Sequence, residues 1–125
     1  MHILRIVILL GYLSFISQWP SPAWGHGFPH KVEPAAGAKV DVPPVFVRIW
    51  FDAILEPAFS KIQVFDDKGK QVDNGDSRLD PNNAKLLEVS LPPLTAGIYR
   101  IKWSAVARDG HKTKGDHTFT IKPPE

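Results

Sequence analysis

Residues 97–107 read GIYRIKWSAVA, and residues 109–121 follow as DGHKTKGDHTFTI. In the first run Ile98, Arg100, Lys102 and Ser104 alternate with Tyr99, Ile101, Trp103 and Ala105. A period of two is the pattern of a strand with one face against a core. In the second, His117, Phe119 and Ile121 alternate with Thr118 and Thr120, which makes a last strand. Working back along the chain, residues 85–91 (KLLEVSL) form another strand, stopped by Pro92-Pro93. Residues 45–51 (VFVRIWF) form the first clear one. Between them Ser60, Ile62 and Val64 alternate with Lys61, Gln63 and Phe65, residues 66–69 (DDKG) make a tight turn, and residues 70–72 return. Residues 73–83 are polar and loop-like. Helical signals are nearly absent. About seven short strands in some 100 residues predict an all-β, immunoglobulin-like sandwich. Trp50 and Trp103 are expected in its core, because large rings dominate core burial. The alternative for either is an exposed platform for stacking on a sugar.

The start of the chain reads differently. One positive charge, Arg5, precedes an almost wholly apolar run at residues 6–16, the length of a signal-peptide core. That run is short for a membrane span, which needs roughly 20 apolar residues. Trp19, Pro20, Ser21 and Pro22 break it, and Ala23-Trp24-Gly25 places small residues where a signal peptidase reads. The expectation is a signal peptide at residues 1–25, cleavage after Gly25, and a domain at residues 26–125 that begins with His26. An uncleaved membrane anchor is the competing reading.

Arg5 is the only charged residue before His26, so the remaining 100 residues are close to charge balance. No basic field invites nucleic acid. There is no cysteine, and the single methionine is Met1. A metal site in residues 26–125 must therefore use nitrogen and oxygen donors.

Four histidines follow the cleavage point: His26, His30, His111 and His117. At a free N-terminus, His26 offers its α-amine and ring Nδ1 to one ion in an unstrained chelate. Asp109-Gly110-His111 lies between the last two strands. Residues i and i+2 of an extended segment share a side, so Asp109 and His111 can reach one ion together. Gly110 permits a turn. With His26 the donors are an amine nitrogen, two imidazole nitrogens and a carboxylate oxygen, a set that suits copper(II). The plainer alternative is a hairpin turn with His111 solvated beside it. His30, fifth from the expected N-terminus, is a bystander. His117 shares its strand face with Phe119 and Ile121 and reads as a half-buried histidine with a local partner. No serine carries an elbow or base signature, and no glycine-rich phosphate loop occurs.

Several segments together resemble the CopC family of copper-binding proteins. His26 stands eight residues before Pro34 in PAAG (34–37), as the family's N-terminal histidine precedes its PAxG segment. Residues 51–64 (FDAILEPAFSKIQV) resemble a second family stretch. Residues 91–103 (LPPLTAGIYRIKW) resemble LxPLxxGxYxVxW. Asp109, Gly110 and His111 with Gly115 and Phe119 resemble DGHxxxGxxxF. The resemblance implies a Greek-key β-sandwich or barrel in the periplasm. It implies a copper(II) site made by His26, Asp109 and His111, and a CopD-type membrane protein as partner. The family's methionine-rich copper(I) site has no counterpart here. Where the family often reads Phe-Ser-Glu, this chain has Phe51-Asp52-Ala53, which removes a fifth oxygen ligand at Ala53. Asp52 is a poor substitute, since neighbouring strand residues face opposite ways.

Three functions compete: a copper(II) carrier or buffer without enzymatic activity, a histidine-brace copper oxygenase, and a metal-free structural sandwich. Those oxygenases hold an open coordination position and present a flat aromatic face, whereas here Asp109 is expected to fill that position.

Overall fold

The computed structural model describes residues 27–125. The expected signal peptide, its cleavage point and His26 lie outside the described residues. Among the described residues eight strands build two four-stranded sheets. One sheet has the order β1 (Pro29–Glu33), β3 (Phe46–Phe51), β6 (Asn83–Ser90), β5 (Arg78–Asp80). The other has the order β2 (Lys39–Val40), β8 (Lys112–Ile121), β7 (Gly97–Val106), β4 (Lys61–Phe65). Only β5–β6 and β7–β8 are hairpins within one sheet; the other connections cross between sheets, as in a Greek-key sandwich. All pairings among these strands are antiparallel except β2 with β8.

The alternation seen in the sequence fills the core. Val47, Ile49 and Phe51 of β3 face Tyr99, Ile101 and Ala105 of β7, with Leu87, Val89, Ile62, Val64 and Phe119 closing the space between sheets. Trp103 packs half-buried on this cluster, its ring edge-on to Phe51 at 5.3 Å. Trp50 does not join it. Its neighbours Ile49 and Phe51 point inward, so Trp50 faces outward, where Lys31 Nζ lies 4.7 Å from its ring centre. The expectation of a core Trp50 fails on strand parity.

Three strands escaped the sequence reading. β1 (PHKVE) is polar and bulged, β2 has two residues, and β5 sits inside the run read as a loop. Conversely, the expected return at residues 70–72 is only an isolated bridge between Phe65 and Gln71. The polar run seals the edge of β4: Ser77 Oγ accepts from Ile62 N–H and Asp73 Oδ2 from Val64 N–H, each at 2.8 Å. Satisfying outward amides this way blunts a sheet edge. Among the described residues no helix is long and apolar enough to cross a membrane.

Candidate metal centre

The turn joining β7 to β8 is fixed by local chemistry. Ala107 N–H donates to His111 O at 2.9 Å, and Gly110 N–H donates to Ala107 O at 2.8 Å. Three loop residues result, the third being Gly110 at φ +92°, which a side chain would strain. This geometry folds Asp109 back over His111. Asp109 Oδ1 accepts from His111 N–H at 3.1 Å and lies 2.9 Å from His111 Nδ1. Both side chains are substantially solvent-exposed. The turn is thus the hairpin of the plainer reading, but the imidazole is held on the carboxylate. A neutral ring that donates from Nδ1 to a carboxylate presents its Nε2 lone pair to a metal, a common orienting device.

The beginning of the described chain is fastened beside this turn, to Asp52 past β3 and to Thr113 on β8. Gly27 is buried. Its N–H donates to Asp52 Oδ1 at 2.6 Å, and the same oxygen accepts from Phe28 N–H at 2.9 Å. Phe28 O accepts from Asp52 N–H at 3.0 Å. From the other side, Thr113 Oγ1 donates to Gly27 O at 2.6 Å. Thr113 follows His111 by two residues, and Ala107 precedes Asp109 by two. Asp52 and Asp109 also line one shallow depression, with Ala53, Lys85 and Arg108 on its rim.

Of the residues singled out from the sequence, Asp109 and His111 are brought together. His26 lies outside the described residues and adjoins Gly27 in the chain. His30 is exposed at the bulge of β1, between Pro29 and Lys31. His117 is half-buried with Nε2 3.3 Å from Pro34 O. Burial pushes its pKa below the usual imidazole value, against opposing pulls from Pro34 O and Asp116. Six residues of extended chain put it roughly 20 Å from His111, too far to share an ion. Asp52 Oδ1 is occupied with the Gly27 and Phe28 backbone amides. Sequence reasoning missed the use of Asp52, Thr113 and Gly27, because contacts spanning 25 and 86 residues leave no local pattern.

Among the described residues no group of three or more His, Cys, Asp or Glu could hold a metal ion. Asp109 and His111 supply one carboxylate and one imidazole, an oxygen and nitrogen pair of the kind that divalent first-row metals accept. A separate groove lies on the outer face of β4, β7 and β8, lined by Lys61, Gln63, Lys102, Ser104, Lys114 and Asp116, away from Asp109 and His111.

The family model described as the CopC domain matches residues 30–122. The chain is 30% identical over 116 residues to "Copper transport protein CutJ" of Bacillus subtilis (strain 168), covering 92% of this chain and 21% of that protein. It is 32% identical over 100 residues to "Protein YobA" of Escherichia coli (strain K12), covering 79% of this chain and 81% of that one. It therefore spans about a fifth of the length of CutJ and most of YobA. The crystal structure of CopC from Methylosinus trichosporium OB3b is similar with a TM-score of 0.71 at 31% identity, covering 80% of this chain and 97% of that chain.

Proposed function

Because this chain belongs to the CopC domain family, we propose that it is a periplasmic carrier or buffer for copper(II), binding one ion as cargo and performing no catalysis. Export removes residues 1–25. The new N-terminus at His26 contributes its α-amine and ring Nδ1, Asp109 one carboxylate oxygen and His111 one imidazole nitrogen. The observation that supports this reading is the pairing of Asp109 with His111 at 2.9 Å, on a turn two residues from the Thr113 that holds Gly27. Residue 26 is one peptide bond from that anchor.

The donor set explains the expected preference. Amine, imidazole and carboxylate favour copper(II) in a tetragonal arrangement, and affinity follows deprotonation of each ligand. An α-amine with a pKa near 8 yields its proton to copper readily. With Asp109 in the coordination sphere, no position is set aside for oxygen, so the copper is transported rather than used. A CopD-type membrane protein is the proposed recipient.

The reading is tested by competition titration of copper(II) on the protein beginning at His26, alongside His111→Ala and Asp109→Ala. One-to-one binding that weakens by orders of magnitude in both variants supports it. Undiminished binding in either variant removes that residue from the site.

A further inference from the structure

We propose that Asp52 and Thr113 form a clamp that aims the N-terminus at the copper site, so that Asp52 is a positioning residue and not a ligand. This rests on the reading of residue 26 as a copper ligand.

The clamp grips Gly27 from both ends. Asp52, just past the end of β3, takes the Gly27 and Phe28 N–H groups on a single carboxylate oxygen. Thr113, on β8, takes the Gly27 carbonyl. The third wall is Ala107, at the base of the Asp109 turn. A Cβ built on Gly27 would stand 3.3 Å from the Ala107 Cβ and 3.8 Å from Thr113 Oγ1. Gly27 also has φ +99°, a conformation that disfavours any other residue. Gly27, the second residue of the expected exported chain, is thus closely fitted and held through both its N–H and its carbonyl.

The chemical consequence follows from peptide geometry. The Gly27 nitrogen belongs to the planar peptide that joins it to residue 26. Holding its N–H on Asp52 fixes that plane before any metal arrives. The direction of the chain at Gly27 is then set in the metal-free protein, and less copper affinity is spent on setting it. Asp52 thus holds the two residues that lead into β1.

Four variants test the clamp: Asp52→Ala and Thr113→Val remove the hydrogen-bonding groups, whereas Asp52→Asn and Thr113→Ser keep an acceptor and a hydroxyl. In the metal-free protein, amide hydrogen exchange at Gly27 and Phe28 should accelerate in the first two and stay near wild type in the second two. Copper(II) affinity should fall about 10–100-fold in Asp52→Ala, the usual cost of removing a group that orients a ligand. The copper(II) EPR spectrum should broaden into more than one species there and remain single in Asp52→Asn. Unchanged amide protection in Asp52→Ala overturns the clamp, whatever copper does. So does wild-type affinity in that variant, or equal loss in Asp52→Asn, which would make charge rather than positioning the cause. Failure of the wild-type protein to bind copper would sink the copper reading instead, leaving the exchange data to judge the clamp separately.

Discussion

Gly115→Ala should destabilise the domain, although an alanine is ordinarily welcome in a strand. Gly115 pairs with Trp103 across β7 and β8. A Cβ there would fall 2.7 Å from Trp103 Cζ2, 2.8 Å from Cε2 and 2.9 Å from Nε1. Carbon atoms pack at about 3.5–4.0 Å, so the ring or the strand must give by about 0.8 Å or more. Trp103 has little freedom to retreat, since its ring stands edge-on to Phe51, which is wholly buried. Overpacking of this kind costs roughly 1–3 kcal/mol, and the replacement of glycine in a strand returns about 0.5–1 kcal/mol. At the midpoints of these ranges the net loss is about 1.3 kcal/mol, a fall in Tm of about 5–10 °C for a domain of this size. Thermal and urea unfolding of the metal-free protein measure it. The penalty should shrink in a Trp103→Phe background, because the smaller ring lacks the clashing atoms. A Tm equal to or above wild type for Gly115→Ala, or the same penalty in both backgrounds, would refute the steric reasoning.

Burial lowers the pKa of His117, so the unfolded chain takes up that proton first as pH falls. Its stability contribution is complete above about pH 6.5 and declines below it until the folded ring itself titrates; His117→Gln should flatten the fall in urea midpoint between pH 7 and 5, and an unaltered slope would count against burial as the cause. Glu88 is almost wholly buried between Arg48 Nε at 3.3 Å and Arg78 Nε at 3.4 Å. Glu88→Ala should cost about 1–3 kcal/mol in urea unfolding, whereas no measurable loss would mean that this triad is energetically idle. Asp109 and His111 are exposed, so Asp109→Ala and His111→Ala should leave the unfolding free energy of the metal-free protein within about 0.5 kcal/mol of wild type. A larger loss would assign them a structural role. Because residues 26–125 contain neither cysteine nor methionine, ascorbate reduction should release the copper, as copper(I) prefers soft sulfur donors; full retention after reduction, measured by gel filtration and metal analysis, would contradict the nitrogen and oxygen ligand set.

The strands that were legible in the sequence are those whose alternation is long and apolar. β3, β6 and β7 each place several large residues at period two, and each lies between two neighbours in its sheet. β1, β2 and β5 are short, polar or bulged, and exist because a neighbour offers hydrogen bonds, which is non-local information. Trp50 faces outward because its parity is opposite to that of Ile49 and Phe51, although the size of its ring favours burial. At the site, Asp109-Gly110-His111 was readable because three adjacent residues make their own turn. The Asp52 carboxylate was considered only as a ligand, and its hold on Gly27 needed the two ends of β1 and β3 side by side. Gly115 stood in the sequence as part of a motif without a reason; the Trp103 ring supplies one.

Whether the α-amine of His26 holds the copper is tested most directly by comparing two proteins, one beginning at His26 and one carrying a single additional residue before it. Competition titration with a copper(II) chelator should show tight one-to-one binding by the first and a large loss of affinity in the second, since the added residue turns the amine into an amide. Equal affinity in both would contradict an N-terminal site and leave Asp109 and His111 to find their other ligands elsewhere.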